Sequence, residues 1–306
     1  MKKQPLIVVA GPTASGKTRL AIDIAKAVGG EIVSADSMQI YKYMDIGSAK
    51  PTAEERSEVK HHLIDFLEPS AEFSVADYTD MAHGVISDIA ARGKMPVMCG
   101  GTGLYINSVV NDVTFGETET DYEMRSDLQK YADENGNEAL LELLREVDPL
   151  SAQRLHPNNV RRVIRAIEFH RLTGETISAH QEMTKQTEGR YSAVMFCIKW
   201  DREALYERIN KRVDIMLRDG LSDEVKRLVD MGYTKALNSM KAIGYKELID
   251  YFNGECSYED AVELIKQSSR RYAKRQLTWF RRDERIHWLD STGNPLEEAL
   301  EILGKE

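Results

Sequence analysis

Apolar positions along this chain gather into short unbroken runs, and between the runs they recur at helical spacing. Residues 6–10 (LIVVA) form the first run, and residues 18–28 follow with a helical period. Further strands are expected at 31–35, at 96–99 and at 194–198 (VMFCI), the last followed by Trp200, Asp201 and helices through Arg282. Strands that alternate with helices imply a parallel sheet, so the fold class is α/β. Residues 111–190 interrupt the alternation. They offer an acidic helical stretch at 122–147 and a basic one at 159–172 closed by Gly174, which reads as an inserted all-helical subdomain. On the basic helix Val160, Val163, Ile164 and Ile167 keep helical spacing and make the buried stripe, while Arg161, Arg162 and Arg165 face elsewhere.

Between the first run and the first helix stand Gly11, Pro12, Thr13, Ala14, Ser15, Gly16, Lys17 and Thr18, a G-x-x-x-x-G-K-[ST] loop in the strand-to-helix context that gives the motif its chemistry. The glycines let backbone N–H groups turn inward, the helix N-terminus adds positive potential, Lys17 supplies a charge, and the Thr18 hydroxyl can ligand Mg2+. The loop is a diphosphate cradle. Sites in parallel sheets lie beyond the strand C-termini, so the loops 11–18, 36–41 and 100–105 are the ones to watch.

In the second of these, Asp36 follows its strand beside the phosphate loop and is a candidate general base; capping a turn or supporting Mg2+ is the other reading. The third begins Cys99-Gly100-Gly101-Thr102, where a nucleotide-hydrolysing enzyme of this topology usually carries a metal-binding aspartate. Nucleotide hydrolysis is disfavoured accordingly. The glycine pair permits close approach of a substrate to the sheet and Thr102 offers a hydroxyl, unless the pair only makes a tight turn. Arg208 and Arg212, four apart on one helix, share a face and can reach a phosphate or pair with surface acids. Adjacent His61 and His62 diverge whether on a strand or a helix and have no third ligand nearby, so no metal site is expected there.

Composition adds limits. The 306 residues are 42% hydrophobic and 30% charged, enough for a sizeable core, and no apolar run spans a membrane or makes a leader peptide. Cys99, Cys197 and Cys256 are widely spaced, so neither disulfides nor zinc is indicated and a reducing cytoplasm fits. A net charge of -9 argues against indiscriminate nucleic-acid affinity. Against that background the cluster Lys266, Arg270, Arg271, Lys274, Arg275, Arg281, Arg282 and Arg285, interleaved with Tyr272, Trp279 and Phe280, stands out as a phosphate-tracking surface or a solvated face with core aromatics.

The segments GPTASGKT, SADSMQIYKYMDIGSAKP, GGTGLY, HPNNVRRVIRAIE, LYERINKRV, AIGYKEL and AKRQLTWFRR, in this order over nearly the whole chain, together resemble the bacterial type of tRNA dimethylallyltransferase. The resemblance implies a P-loop NTPase-like core at 1–112 and 192–306, and a helical insertion at 113–191 that grips the anticodon arm. It implies that the loop holds dimethylallyl diphosphate rather than ATP, with Mg2+, and that the prenyl group goes to N6 of adenosine 37 of tRNA. Asp36 then removes the amine proton, Thr102 positions the reacting groups, and Arg212 contacts the diphosphate. Ser37, Met38 and Gln39 read or pack against an extruded base, and tRNA contacts fall on Arg161, Arg162, Arg165, Lys274, Arg275, Gln276, Trp279 and Arg281. The expected partners are tRNA, through its anticodon stem-loop, and dimethylallyl diphosphate, with a monomeric enzyme and no membrane. Where bacterial relatives commonly read VGYRQ this chain has Ile243-Gly244-Tyr245-Lys246-Glu247, which leaves that segment's tRNA contacts open. The competing readings are a small-metabolite phosphotransferase, an RNA-binding nucleotide switch, and a prenyltransferase acting on free adenylate. The first leaves both basic clusters unexplained, the second leaves Asp36 and Thr102 unexplained, and the helical insertion favours tRNA over the third.

Overall fold

The computed structural model describes residues 3–113, 121–186 and 189–305. Among them six strands, β1 (Gln4–Ala10), β2 (Gly30–Ser34), β3 (His61–His62), β4 (Met95–Gly100), β5 (Tyr191–Lys199) and β6 (Ile286–Asp290), form one sheet in the order β3-β2-β4-β1-β5-β6. Every pairing is parallel. The helices, in chain order, are α1 (Lys17–Val28), α2 (Ala53–Glu58), α3 (Val75–Ala91), α4 (Gly103–Val110), α5 (Tyr122–Asn135), α6 (Asn137–Val147), α7 (Pro149–Arg154) and α8 (Val160–Thr173). They continue with α9 (Ile177–Gln186), α10 (Arg202–Arg218), α11 (Leu221–Asp230), α12 (Tyr245–Phe252), α13 (Tyr258–Phe280) and α14 (Pro295–Leu303).

The chain divides into two compact units, one of Met1–Val110 with Arg190–Glu306 and one of Asn111–Gly189. The second unit, whose described elements are α5 to α9, carries its own apolar core of Leu128, Leu140, Leu141, Leu144, Val163, Ile164 and Ile167. Val160 packs against it, so the stripe read from the basic helix is the one that is buried. Of the insertion expected at 113–191, residues 114–120 and 187–188 lie outside the described residues. The stretch 122–147 is two helices rather than one, because Gly136 sits at φ 89, ψ 158 and breaks the run.

In the larger unit the continuous apolar run of β1 is explained by burial on both faces. Leu6, Val8 and Ala10 face α3 and α4, while Ile7 and Val9 face α1. Burying each such aliphatic side chain stabilises by roughly 1.5–3 kcal/mol, which makes β1 the centre of the unit. Two strands escaped the sequence reading. β3 is a two-residue edge, too short to show a period, and β6 lies just past a run of helices that the pattern extends to Arg282. On β3, His62 Nε2 lies 2.7 Å from Glu31, and the Glu31 carboxylate also accepts from Arg92 (2.6 Å) and Lys94 (2.7 Å). The pair is thus a structural edge, and no group of three or more His, Cys, Asp or Glu suited to a metal occurs among the described residues.

The segment following β2 is held from below by one carboxylate. Glu224 on α11 is buried and accepts from the N–H groups of Asp45 (2.9 Å), Ile46 (2.8 Å) and Gly47 (3.1 Å) and from the Tyr245 hydroxyl (2.6 Å). Four donors satisfy the charge in place, and the loop gains a fixed path. The buried Lys50 ammonium adds a second tie, 2.7 Å from Asp45 and 2.8 Å from Asp65. Ile40, Tyr41 and Met44 complete it by packing among Val213, Leu221, Leu248 and Ile265.

Two outcomes follow from these buried carboxylates. The Arg92 guanidinium, with Lys94 and His62 behind it, holds the Glu31 carboxyl well below its ordinary value of 4.5, against the opposing effect of burial. A depressed folded-state pKa contributes stability that is fully present above the unfolded value and lost as pH falls toward the folded one. Glu31→Gln should therefore cost roughly 2 kcal/mol in urea denaturation at pH 7, with the gap to the parent narrowing below about pH 4.5; a gap independent of pH would contradict it. At Gly47, an added methyl would stand 2.4 Å from Cε2 of Tyr245, a ring that is fully buried and fixed by Glu224. Gly47→Ala is expected to lose about 1–3 kcal/mol from overpacking, and parental stability would show that the loop yields.

Candidate active site

β1, β2 and β4 end together because their registers align Ala10 with Gly100 and Ser34 with Cys99. The phosphate loop therefore emerges beside Asp36 and Thr102. Ala14 (φ 61) and Gly16 (φ 88) take left-handed backbone, and Gly16 caps α1 with no side-chain hydrogen bond, so the first N–H groups of α1 point out of the helix unclaimed by a cap. The loop carbonyls are pinned from outside. Arg208 Nε donates to Ala14 O (3.0 Å), Trp200 Nε1 donates to Ser15 O (2.9 Å), and the Arg208 guanidinium lies 4.4 Å over the Trp200 ring. Arg208, paired with Arg212 in sequence, is thus a brace for the loop.

Two cations face this loop without a counter-ion. Lys17 Nζ reaches only Pro12 O, at 3.3 Å, and neither Lys17 nor Arg212 makes an ion pair among the described residues. Burial lowers the pKa of both, and for both the charge of Asp36 acts in the opposite sense. A half-buried, unpaired cation is costly unless an anion joins it, so the pair marks an anion site.

Asp36 Oδ1 accepts from Met38 N (2.9 Å), which holds the carboxylate in the wall of a cavity. Thr102 ties the same turn: its N–H donates to Ala35 O (3.1 Å) and its Oγ1 accepts from Ser37 N (3.0 Å). The glycine pair before it serves the chain's own packing rather than a substrate's approach. A Cβ on Gly100 would fall 2.1 Å from Ala35 O, and one on Gly101 would fall 2.3 Å from Gln276 Nε2. Gln276, on α13, is buried and staples two of the site's loops, accepting from Thr13 N (3.0 Å) and donating to Gly101 O (2.9 Å). Gln39 is likewise held within the chain, donating to Ser48 O and Ala49 O (3.0 Å) and accepting from Ser34 Oγ. Tyr272 was legible only as part of a basic and aromatic cluster. Its hydroxyl contacts Thr102 and Gln276, and burial, with Asp36 nearby, pushes its pKa up to about 12, so it stays a neutral donor.

Two cavities meet at Lys17, Thr18, Ala49 and Arg212. The inner one, about 360 Å³, begins at Thr13, Lys17, Thr18 and Asp36, passes Ser37, Met38 and the apolar Ile209, Val213, Met216 and Ile265, and includes Asn238, Lys241 and Lys246. The outer one, about 500 Å³, follows the far side of the phosphate loop past Arg19, Arg208 and Lys211. Ile243, Gly244 and Lys246 of the divergent segment line the inner cavity, whereas Tyr245 and Glu247 are buried beneath it. Cys99 and Cys197 flank the site with thiols that burial pushes up to about 12, so neither is a nucleophile.

The basic residues separate into two kinds. Arg161 and Arg162 on α8 are exposed, but Arg165 Nη1 lies 2.8 Å from the buried Glu168, which Arg125 also holds at 2.9 Å. Lys274, Arg275 and Arg281 are exposed, while Gln276 is buried and Trp279 packs against the core beside Gly103. No described helix is long and apolar enough to cross a membrane.

Comparison with known proteins agrees on one family. The family model described as IPP transferase matches residues 39–283. The chain is 52% identical over 295 residues to tRNA dimethylallyltransferase of Acetivibrio thermocellus, covering 96% of this chain and 94% of that one. It is 50% identical over 285 residues to tRNA dimethylallyltransferase of Caldanaerobacter subterraneus, covering 92% and 90%. Among solved structures, tRNA isopentenylpyrophosphate transferase of Bacillus halodurans superimposes with a TM-score of 0.74 at 44% identity, over 99% of this chain and 97% of that one. A eukaryotic dimethylallyltransferase acting on tRNA gives a TM-score of 0.80 at 28% identity, over 94% and 74%. With a parallel-sheet P-loop core, an all-helical insertion and identity of this extent to whole relatives, the chain belongs to the tRNA dimethylallyltransferase family of prenyltransferases.

Proposed function

We propose that this enzyme transfers the dimethylallyl group of dimethylallyl diphosphate to N6 of adenosine 37 of tRNA, releasing diphosphate, with Asp36 as the general base. The observation that carries the reading is the pair of uncompensated cations, Lys17 and Arg212, bordering a cavity that also holds the Asp36 carboxylate. An exocyclic adenine amine is a weak nucleophile because its lone pair is delocalised into the ring. A carboxylate that takes its proton as the C–N bond forms lowers the barrier. The C–O bond to diphosphate breaks in the same event, and the charge that develops on the leaving oxygen is met by the loop N–H groups, Lys17 and Arg212. These donors are set in place before reaction, and no covalent enzyme intermediate is required.

The two cavities supply a division of labour. The outer one, rimmed by Arg208, Lys211 and Arg212, suits the diphosphate, and the inner one, apolar along Ile209, Val213 and Met216, suits the prenyl chain and the extruded base. Mg2+ fits this donor set, since the Thr18 hydroxyl and the Asp36 carboxylate line one cavity and offer hard oxygens. When bound there through Thr18, substrate oxygens and water, it would neutralise diphosphate charge. Thr102 and Tyr272 hold the turn that carries Asp36 and so orient the base. The exposed Arg161, Arg162, Lys274, Arg275 and Arg281 are the proposed contacts to tRNA phosphates, with Arg165 acting through its bond to Glu168.

Asp36→Ala is expected to lower the rate of the chemical step by about 10²–10⁴-fold while tRNA affinity stays within a fewfold, measured by single-turnover transfer and filter binding. Near-parental turnover would remove Asp36 as the base. Replacing Arg161 and Arg162 together by alanine should flatten the plot of log K for tRNA against log salt by roughly 1.5–2. Arg165→Ala should instead destabilise the helical unit, because it uncovers a buried carboxylate. An unchanged salt slope in the double variant would make this face of α8 merely solvated.

A further inference from the structure

His61, which the mechanism above leaves unused, borders a small cavity that Lys17, Thr18 and Asp36 also line. Register places His61 of β3 beside Ile32 of β2, on the face that two residues further on carries Ser34 and then Asp36. His61 Nδ1 lies 2.8 Å from the carbonyl oxygen of Val59, and a carbonyl only accepts, so Nδ1 carries the proton. In the neutral ring Nε2 is then an acceptor. Burial lowers the pKa of His61, which favours that neutral ring; Val59 O and Glu55 act in the opposite sense, while Arg56 and His62 add to the lowering. Nε2 is buried and has no hydrogen-bonding partner among the described residues.

An orphaned acceptor of this kind is rare in a folded chain and asks for a donor. His61 borders a cavity of about 10 Å³ that is lined also by Lys17, Thr18, Ser34 and Asp36. That volume admits a water, and the walls supply the two to four polar partners a buried water needs.

We propose that His61 is a positioning residue, acting through one ordered water that donates one hydrogen bond to His61 Nε2 and the other to the Asp36 carboxylate. The lone pairs of that water face the donors on the same walls, the Lys17 ammonium and the Thr18 hydroxyl. The water thus joins the edge strand, the base and the phosphate loop, and fixes the rotation of a carboxylate whose Oδ1 is held by Met38 N. His61 itself takes no proton from the substrate. This inference rests on the assignment of Asp36 as base for prenyl transfer, and the experiment separates the two.

The test compares the parent, Asp36→Asn, His61→Phe and His61→Gln. Phenylalanine keeps the ring volume without the acceptor, and the glutamine Oε1 restores an acceptor near the position of Nε2. The expected result is a kcat at least tenfold lower in His61→Phe, with KM for tRNA and for dimethylallyl diphosphate within twofold of the parent, and recovery of most of the loss in His61→Gln. A parental kcat in His61→Phe alongside a dead Asp36→Asn would overturn the role of His61 and leave the base intact. An active Asp36→Asn would instead remove the reading on which it rests. A crystal structure of the parent at better than about 2 Å gives a readout free of turnover and of any folding defect in the variants. A water within hydrogen-bond distance of His61 Nε2 is expected, and its absence would overturn the proposal.

Discussion

Two cations without partners, Lys17 and Arg212, set the terms for the rest of this site. Neither finds a carboxylate among the described residues, and both are drawn partly out of water. The arrangement is tenable only as an anion site, and the surrounding structure keeps it one. Arg208 and Trp200 hold the loop carbonyls away from the anion, and Gln276 fixes the loop's position by taking Thr13 N. Asp36 lines the inner cavity without pairing with either cation, and its charge, with that of Glu55, only partly offsets the burial of Arg212. A substrate that brings its own negative charge relieves the imbalance as it binds, and one that expels a more negative leaving group relieves it further.

The turn carrying Asp36 owes its rigidity to polar groups that never meet the substrate. Glu224 satisfies three backbone N–H groups of the 45–47 loop, Lys50 bridges two aspartates, and Gln39 takes up two carbonyls. Thr102 and the Gly100 contact with Ala35 bind β4 to the same turn. A base must sit within a few tenths of an ångström of its productive place, and a loop of this length reaches that only when its backbone groups are tied down.

How much of this was written in the sequence depends on the range of the interaction. The phosphate loop, the parallel core and the helical insertion were legible because strand runs, helical periods and the G-x-x-x-x-G-K-T pattern are local. The position of Asp36 was legible because topology alone brings the end of β2 beside the loop. β3 was not, since two residues carry no period, and neither were the bonds of Glu224 to the 45–47 loop and of Gln276 to Thr13 and Gly101, which span well over a hundred residues; Gln276 is expected from the sequence only as a tRNA contact. The glycine pair was legible as a demand for close approach, but what approaches is Ala35 and Gln276. Arg165 looked like its neighbours Arg161 and Arg162, and only the burial of Glu168 three residues on distinguishes it.

The most direct test of the central claim is transfer of label from radioactive dimethylallyl diphosphate to unmodified tRNA in the presence of Mg2+, with nuclease digestion to locate the product and with ATP and free AMP assayed in parallel. The account predicts label on N6 of the adenosine next to the anticodon, none in AMP, and no phosphate released from ATP. Label in AMP alone, or phosphoryl transfer from ATP without prenylation, would contradict it.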